Sequence, residues 1–352
     1  MKRISILTSI VGLLLLASCG SDKQAPIPSQ AETATLLAYL EENGDILNGP
    51  NLPSLINATD VYNQLHGTNM HIIDLRTKEA FEGGHIQHSV NIQPPEILNY
   101  FENEINPSAF DFIVLVCPDA MLSGHVNAIL LFLGYENVHA LRYGLSSWDM
   151  DVAADYWLGA MSSHLEGQLE TVRHPKNNDG PLPALATGET DGYRILRKRA
   201  MEVLATDPAL FTIDIKTLED RLEEVYLVNY WPEGLYNQGH LPGAIQYTPK
   251  ISLHSGQDIQ TLPADKPIVL YCFTGHHSSY VTAFLRLLGY DALHMPYGAN
   301  SFIHHTMLTT QVESRTFTET HVHNYPLTGK TDQLAPAESD RPEEPLPVIG
   351  GC

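Results

Sequence analysis

Three landmarks recur in this 352-residue chain at one offset of 155 residues, and that repeat constrains the fold more than any other feature. Gly84-His85-Ile86 returns as Gly239-His240-Leu241, Cys117 returns as Cys272, and Leu133-Gly134-Tyr135 returns as Leu288-Gly289-Tyr290. Tyr143-Gly144 and Tyr297-Gly298 close the two copies with a slip of one residue. Self-similarity at a fixed period marks duplicated structural units, and this period is far too long for a solenoid, so the chain should hold two domains. Its length and 43% hydrophobic composition suffice for two ordinary cores.

Each copy alternates strand and helix. In the first, His71–Leu75 and Ser89–Ile92 read as short strands, and Phe112–Val116 is a continuous apolar, β-branched run. Such a run suits a parallel strand buried on both faces. Ser123–Leu133 then carries apolar residues at helical spacing. Each cysteine therefore falls at the carboxyl end of a central strand, where open α/β sheets place their ligand sites.

The loop Cys272-Phe273-Thr274-Gly275-His276-His277-Ser278 is built to hold a thiolate. Backbone N–H groups and a helix N-terminus aimed at one sulfur favour the ionised form. Gly275 permits a tight backbone path, Ser278 can cap the following helix and donate to sulfur, and Thr274 adds a hydroxyl. His276 and His277 read as loop histidines, neutral or cationic near neutral pH, able to assist the thiolate or bind an anionic donor.

With these motifs in hand, the chain resembles a tandem rhodanese, a sulfurtransferase. The matching residues are Ile73-Asp74-Leu75-Arg76, Phe81, Gly84-His85-Ile86, Val90-Asn91, Cys117, Ser123, Leu133-Gly134-Tyr135, Gly144 and Trp148. In the second copy they are Gly239 to Ile245, Cys272, Gly275, Ser278, Leu288-Gly289-Tyr290 and Gly298. The resemblance implies an α/β fold of two rhodanese-like domains, each a central parallel sheet flanked by helices. It also implies a cysteine that carries a persulfide, with Phe273 to Ser278 as the substrate-binding cup and no cofactor.

Family loops commonly carry arginine one residue before the serine, where this chain has His277. That weakens thiosulfate as donor, favours polysulfide or a small persulfide, and argues against cysteine phosphatase chemistry, which needs a bidentate arginine clamp. In the first loop Ala120 replaces the glycine, Leu122 the arginine, and Pro118 removes an N–H. Asp119, if close, would raise the thiol pKa by like-charge repulsion. Cys117 thus reads as a degenerate second site, a relay, resolving thiol or relic, and Cys272 as the catalytic nucleophile. Asp74 and Arg76 should tie a strand end to a helix, with Glu79 or Glu82 as partners; the second copy has Asn229 and Trp231 there.

Residues 1–18 read as a lipoprotein signal peptide: Lys2 and Arg3, an apolar run to Leu16, then Leu16-Ala17-Ser18-Cys19, which resembles a bacterial lipobox. Cys19 would be lipidated, and Gly20 after it favours the outer membrane of the cell envelope. Residues 19–33 form a tether, 34–155 the first domain, 156–189 a linker with a break at Pro175–Pro183, 190–311 the second domain, and 312–352 an acidic, Pro-rich tail. Amphipathic helices are expected at Ala34–Asn43 and Tyr193–Leu204.

The net charge of −21 argues against nucleic acid. Expected partners are a small sulfur donor, a thiol acceptor and, through the lipid, a membrane. Four cysteines leave none for a disulfide framework, although a Cys117–Cys272 bond is conceivable if the loops face each other; Cys352 could be a mobile acceptor or a free thiol. His85 and His240 read as structural hydrogen bonders. His304-His305 and His321-Val322-His323 read as surface histidines, so no metal site is expected.

Overall fold

The computed structural model describes residues 26–67, 69–310 and 313–330. Cys19, the signal segment, Cys352 and the Asp332–Pro347 stretch lie outside them. Among the described residues no helix is long and apolar enough to cross a membrane.

Strands β1 (Leu55–Ile56), β2 (Met70–Asp74), β3 (Val90–Asn91), β4 (Phe112–Val116) and β5 (Val138–Leu141) form one parallel sheet in the order β1-β5-β4-β2-β3. β6 (Tyr226–Asn229), β7 (Ile245–Gln246), β8 (Ile268–Tyr271) and β9 (Ala292–His294) form a second, ordered β7-β6-β8-β9. The duplication holds at the level of register: Ile73 pairs with Leu115 in the first sheet, and Val228 with Leu270 in the second. Thr212 bridges His294 in parallel and supplies the second sheet's counterpart of β1. Helices flank both sheets, as the alternating pattern requires.

The helices Met121–Phe132 and His276–Leu287 follow the two cysteine loops and pack against each other. Gly124 and Ser279 hold equivalent positions and meet at this crossing. A Cβ on Gly124 would fall 2.6 Å from Ser279 Oγ and 3.0 Å from the Tyr280 ring. Equivalent helices meeting through equivalent residues is the geometry of an approximate twofold. Asn127 and Tyr280 then hydrogen-bond across the interface (2.8 Å), and both reach Ser54 O. One buried apolar cluster runs from Leu115 and Ile129 to Leu270 and Phe284, so the two domains share a core.

Parts of the segments read as a linker and as a tail are packed against the domains. Within 156–189, Trp157 is fully buried, Leu165 joins the second domain's core, and Ser162 N–H donates to Asn300 O. Residues 313–330, read as the start of a tail, return to the first domain. Phe317 is buried, Trp148 Nε1 donates to Pro326 O, and Lys330 pairs with Asp149. Each Gly-His turn is thereby covered: His85 bridges Thr328, and His240 bridges Glu170. The helix expected at Ala34–Asn43 spans Gln30–Glu42 with Leu36, Leu37 and Leu40 buried, and packs on the helix Gly192–Leu204.

Candidate functional site

Cys117 directly follows β4 and Cys272 directly follows β8, and both are fully buried free thiols. Around Cys272 the chain turns at Gly275, whose φ of +82° is the left-handed conformation glycine tolerates. Its N–H donates to Cys272 Sγ at 3.2 Å. A Cβ there would lie 2.8 Å from both Met121 Sδ and Tyr297 N, so the turn also needs glycine's size. Ser278 Oγ is 3.9 Å from Sγ and donates to Gly275 O at 3.0 Å. Ser278 therefore sits inside the first helical turn, and Gly275 holds the capping position expected for Ser278. Thr274 Oγ1 accepts from His276 N, and the Phe273 ring stacks on Trp231 at 4.4 Å beneath the Arg315 guanidinium.

The two histidines depart most from the sequence reading. The helix begins at His276, and both rings are buried. Tyr143, reaching over from the first domain, and Trp157 of the interdomain segment pack on His276; Tyr230 meets His277 edge-on at 5.0 Å. Burial, aided by Arg142 for His276 and by Lys250 and Arg315 for His277, pushes each imidazole down to about 3. Neither is cationic near neutral pH, and neither is an exposed loop side chain.

The Cys117 loop takes the same path with poorer chemistry. Ala120 adopts φ +74° where the other copy has glycine. Ser123 N–H donates to Cys117 Sγ at 3.3 Å, while Asp119 Oδ1 lies 3.5 Å from the same sulfur. Burial first, then the Asp119 charge, push the thiol up to about 12 against the pull of Ser123. Replacing Asp119 with Asn keeps an acceptor for Met121 N–H and removes the charge. Cys117 in Asp119→Asn should then titrate at lower pH, still above an ordinary thiol because burial remains, in a thiolate ultraviolet titration. An unchanged titration would mean that Asp119 has no grip on the sulfur.

The loops face each other across the twofold through partners the sequence displayed only as a repeat. Tyr143 and Tyr297 both adopt φ +62°; Tyr143 packs on His276, and Tyr297 donates to Asp119 Oδ2 at 3.3 Å. Each domain thus lends a tyrosine to the other's thiol loop. A cleft of about 640 Å³, lined by Arg76, Thr77, Pro118, Leu122, Tyr156 and Leu204 among others, opens beside the Cys117 loop. The cleft therefore borders the loop of Cys117, while both sulfurs lie below the surface.

The remaining candidates fall into structural roles. Arg76 binds Asp74, not Glu79 or Glu82: Nη2 is 2.7 Å from Oδ2, Nε is 3.0 Å from Oδ1, and Nη2 also reaches Gly84 O. Arg76, two residues past the end of β2, gives the buried carboxylate a fork-shaped partner without crossing to the helix. His85 Nδ1 bonds Phe81 O and its ring stacks on Phe81; His304 Nε2 bonds Phe317 O.

Two α/β domains, each presenting a cysteine at the carboxyl end of a central parallel strand, define the class of protein. The family model for the rhodanese-like domain matches residues 57–151 and 213–304, more than half of the chain. The chain belongs to the rhodanese-like domain family and carries two copies in tandem. A Dictyostelium discoideum protein described as a probable rhodanese domain-containing dual specificity protein phosphatase is 57% identical over 42 residues, covering 11% of this chain and 9% of that protein. Among solved structures, a thiosulfate sulfurtransferase from Pseudomonas aeruginosa is 15% identical, over 77% of this chain and 69% of its own, at a TM-score of 0.26. The 3-mercaptopyruvate sulfotransferase SseA from Escherichia coli is 16% identical, over 68% and 97%, at 0.24. These likenesses concern the fold alone.

Proposed function

We propose that this protein is a tandem rhodanese-like sulfurtransferase that forms a persulfide on Cys272 from a sulfane-sulfur donor and passes it to a thiol or other nucleophile. The observation carrying this reading is the Gly275 N–H at 3.2 Å from Cys272 Sγ, in a loop, Phe273 to Ser278, that contains no acid. Its counterpart Cys117 shares its loop with Asp119. A donor N–H favours thiolate and persulfide alike, whereas a neighbouring carboxylate opposes both.

The chemistry balances without an outside oxidant. The Cys272 thiolate attacks the terminal sulfane sulfur of a polysulfide, the S–S bond behind that sulfur breaks, and the shortened chain leaves with the electron pair. An acceptor thiolate then takes the outer sulfur and Cys272 leaves as thiolate. His277, neutral where the family commonly has arginine, offers no fixed charge to a dianion, which favours polysulfide or a small persulfide over thiosulfate. The reading extends to export, with lipid on Cys19 anchoring the chain to the outer membrane of the cell envelope; the lipobox-like Leu16-Ala17-Ser18-Cys19 supports it.

A second reading, a carrier or sensor that holds sulfur without turnover, is favoured by the complete burial of Cys272 and by the cleft lying at the other loop. Polysulfide treatment followed by peptide mass spectrometry tests both. Cys272→Ser should abolish the gain of one sulfur, and Cys117→Ser should keep most of it; equal loss in both would sink the asymmetric model. Discharge to cyanide over many cycles marks the enzyme, and a stable single charge marks the carrier. The amino-terminal peptide in the same spectrum reads the lipid on Cys19.

A further inference from the structure

Glu170, His174 and His240 converge where the interdomain segment crosses the second domain's Gly-His turn. Their ligand atoms all lie within 4.8 Å of one another. Glu170 Oε1 is 2.7 Å from His174 Nε2 and 3.8 Å from His240 Nε2, and it accepts the Gly243 N–H at 2.6 Å. Two imidazole nitrogens and a backbone donor therefore point at one carboxylate oxygen.

A second, independent observation concerns His240 itself, which is fully buried. Its Nδ1 lies 2.8 Å from Tyr236 O and its Nε2 lies 3.0 Å from Val172 O. A neutral imidazole has a single N–H, so it can serve only one of these carbonyls. With Nδ1–H given to Tyr236, Nε2 turns a lone pair toward the Val172 carbonyl, and two acceptors confront each other unless a second proton or a metal cation stands on Nε2. Nδ1–H bonded to a backbone carbonyl is also how metal-ligating histidines are oriented. The same Nε2 would be the ligand atom.

The backbone holds this arrangement in place. Glu170 and His240 exchange both main-chain hydrogen bonds, at 2.9 and 3.0 Å, and the His174 backbone N–H donates to the Tyr236 phenol oxygen at 3.3 Å. The Tyr236 ring stacks on His240 at 3.6 Å. His174 and Glu170 remain partly open to solvent, at 34% and 26%, which gives an entry path and room for water as a further ligand. We propose that Glu170, His174 and His240 form a binding site for a divalent first-row metal of the zinc class, with the Val172 carbonyl beside it, which pins the interdomain segment to the second domain. Two nitrogens and a carboxylate oxygen are a ligand set that zinc accepts. The site is separate from both thiol loops and does not depend on their activity.

The test is a titration of the full chain with Zn2+ against a chromophoric chelator, repeated with His174→Ala and Glu170→Gln. Glu170→Gln keeps an acceptor for the Gly243 N–H and removes the charge. Wild type should bind one more equivalent than either variant, or bind that equivalent at least about tenfold more tightly, the scale on which metal sites respond to loss even of an outer partner. Zn2+ should raise the melting temperature of wild type and leave that of the variants unmoved, while the three melt alike without metal. Co2+ in the same site should give a spectrum of nitrogen and oxygen ligands without thiolate charge transfer. Identical Zn2+ stoichiometry and affinity in all three proteins, or no binding by wild type, would overturn the proposal.

Discussion

The protein should lose a large part of its stability between pH 6.5 and pH 5, above the range in which carboxylates titrate. His276, His277 and His294 are fully buried and each is held down to about 3, first by burial and, for the first two, by the nearby charges of Arg142, Lys250 and Arg315. His125, stacked on Phe211 beside His294 and Arg286, is also held well below its ordinary value. A folded pKa below the unfolded one means that the unfolded chain binds more protons throughout the window between them. Stability from such a group is complete above about pH 6.5 and is lost as pH falls toward 3. At pH 5 each of the three costs about 2 kcal/mol, or about 6 kcal/mol together, against a typical total of about 5–15 kcal/mol. Urea denaturation at pH 7.5 and pH 5 reads this directly, and His294→Phe, which removes one titrating group, should flatten the dependence. Equal midpoints at the two pH values would show that these imidazoles find water or partners in the folded state.

The same histidines mark where sequence reasoning stops. Strand identity was legible because β4 and β8 are short apolar runs with no competing helical pattern, and the 155-residue repeat places both cysteines in the same frame. The closeness of Asp119 to Cys117 was legible because a two-residue separation inside a tight loop leaves a carboxylate few other places. His276 and His277 were not, since their burial comes from Tyr143 on the far side of the twofold, from Trp157 of the interdomain segment and from Tyr230 on the neighbouring strand end. A chain shows its periodicity, but not which face of a helix another domain will cover. The Glu170–His174–His240 cluster escaped for a related reason. Its members come from an irregular segment and from a turn about seventy residues later, whereas adjacent pairs such as His304-His305 draw the eye and bond elsewhere. Arg76 was misassigned because a helical glutamate seemed the natural partner, yet Asp74, two residues back at the end of β2, lies within a bidentate reach.

Gly298→Ala should cost about 3–5 kcal/mol and disorganise the Cys272 loop, combining left-handed strain with overpacking. Gly298 has φ +53°, and a Cβ there would collide with the carbonyl oxygen of Cys272 and lie 2.7 Å from the Phe273 carbonyl carbon. Those atoms are backbone, so no rotamer change relieves the contact. They are also the path of the thiol loop, which Ala299 N–H buttresses by donating to Cys272 O at 3.0 Å. The first copy repeats the device: Leu145 N–H donates to Cys117 O, and a Cβ on Gly144 would stand 2.6 Å from Asp119 N. Gly243→Ala is the control, for Gly243 has φ +77° but no atom within 4 Å of its hypothetical Cβ. It should lose only the conformational part, about 1–2 kcal/mol. Urea midpoints separate the two variants, and sulfur loading of Cys272 should fall in Gly298→Ala while persisting in Gly243→Ala. Equal losses would mean that backbone strain alone governs these turns; the larger loss at Gly298 would make the Tyr-Gly turn, repeated in both domains, the clamp that sets the position of each sulfur.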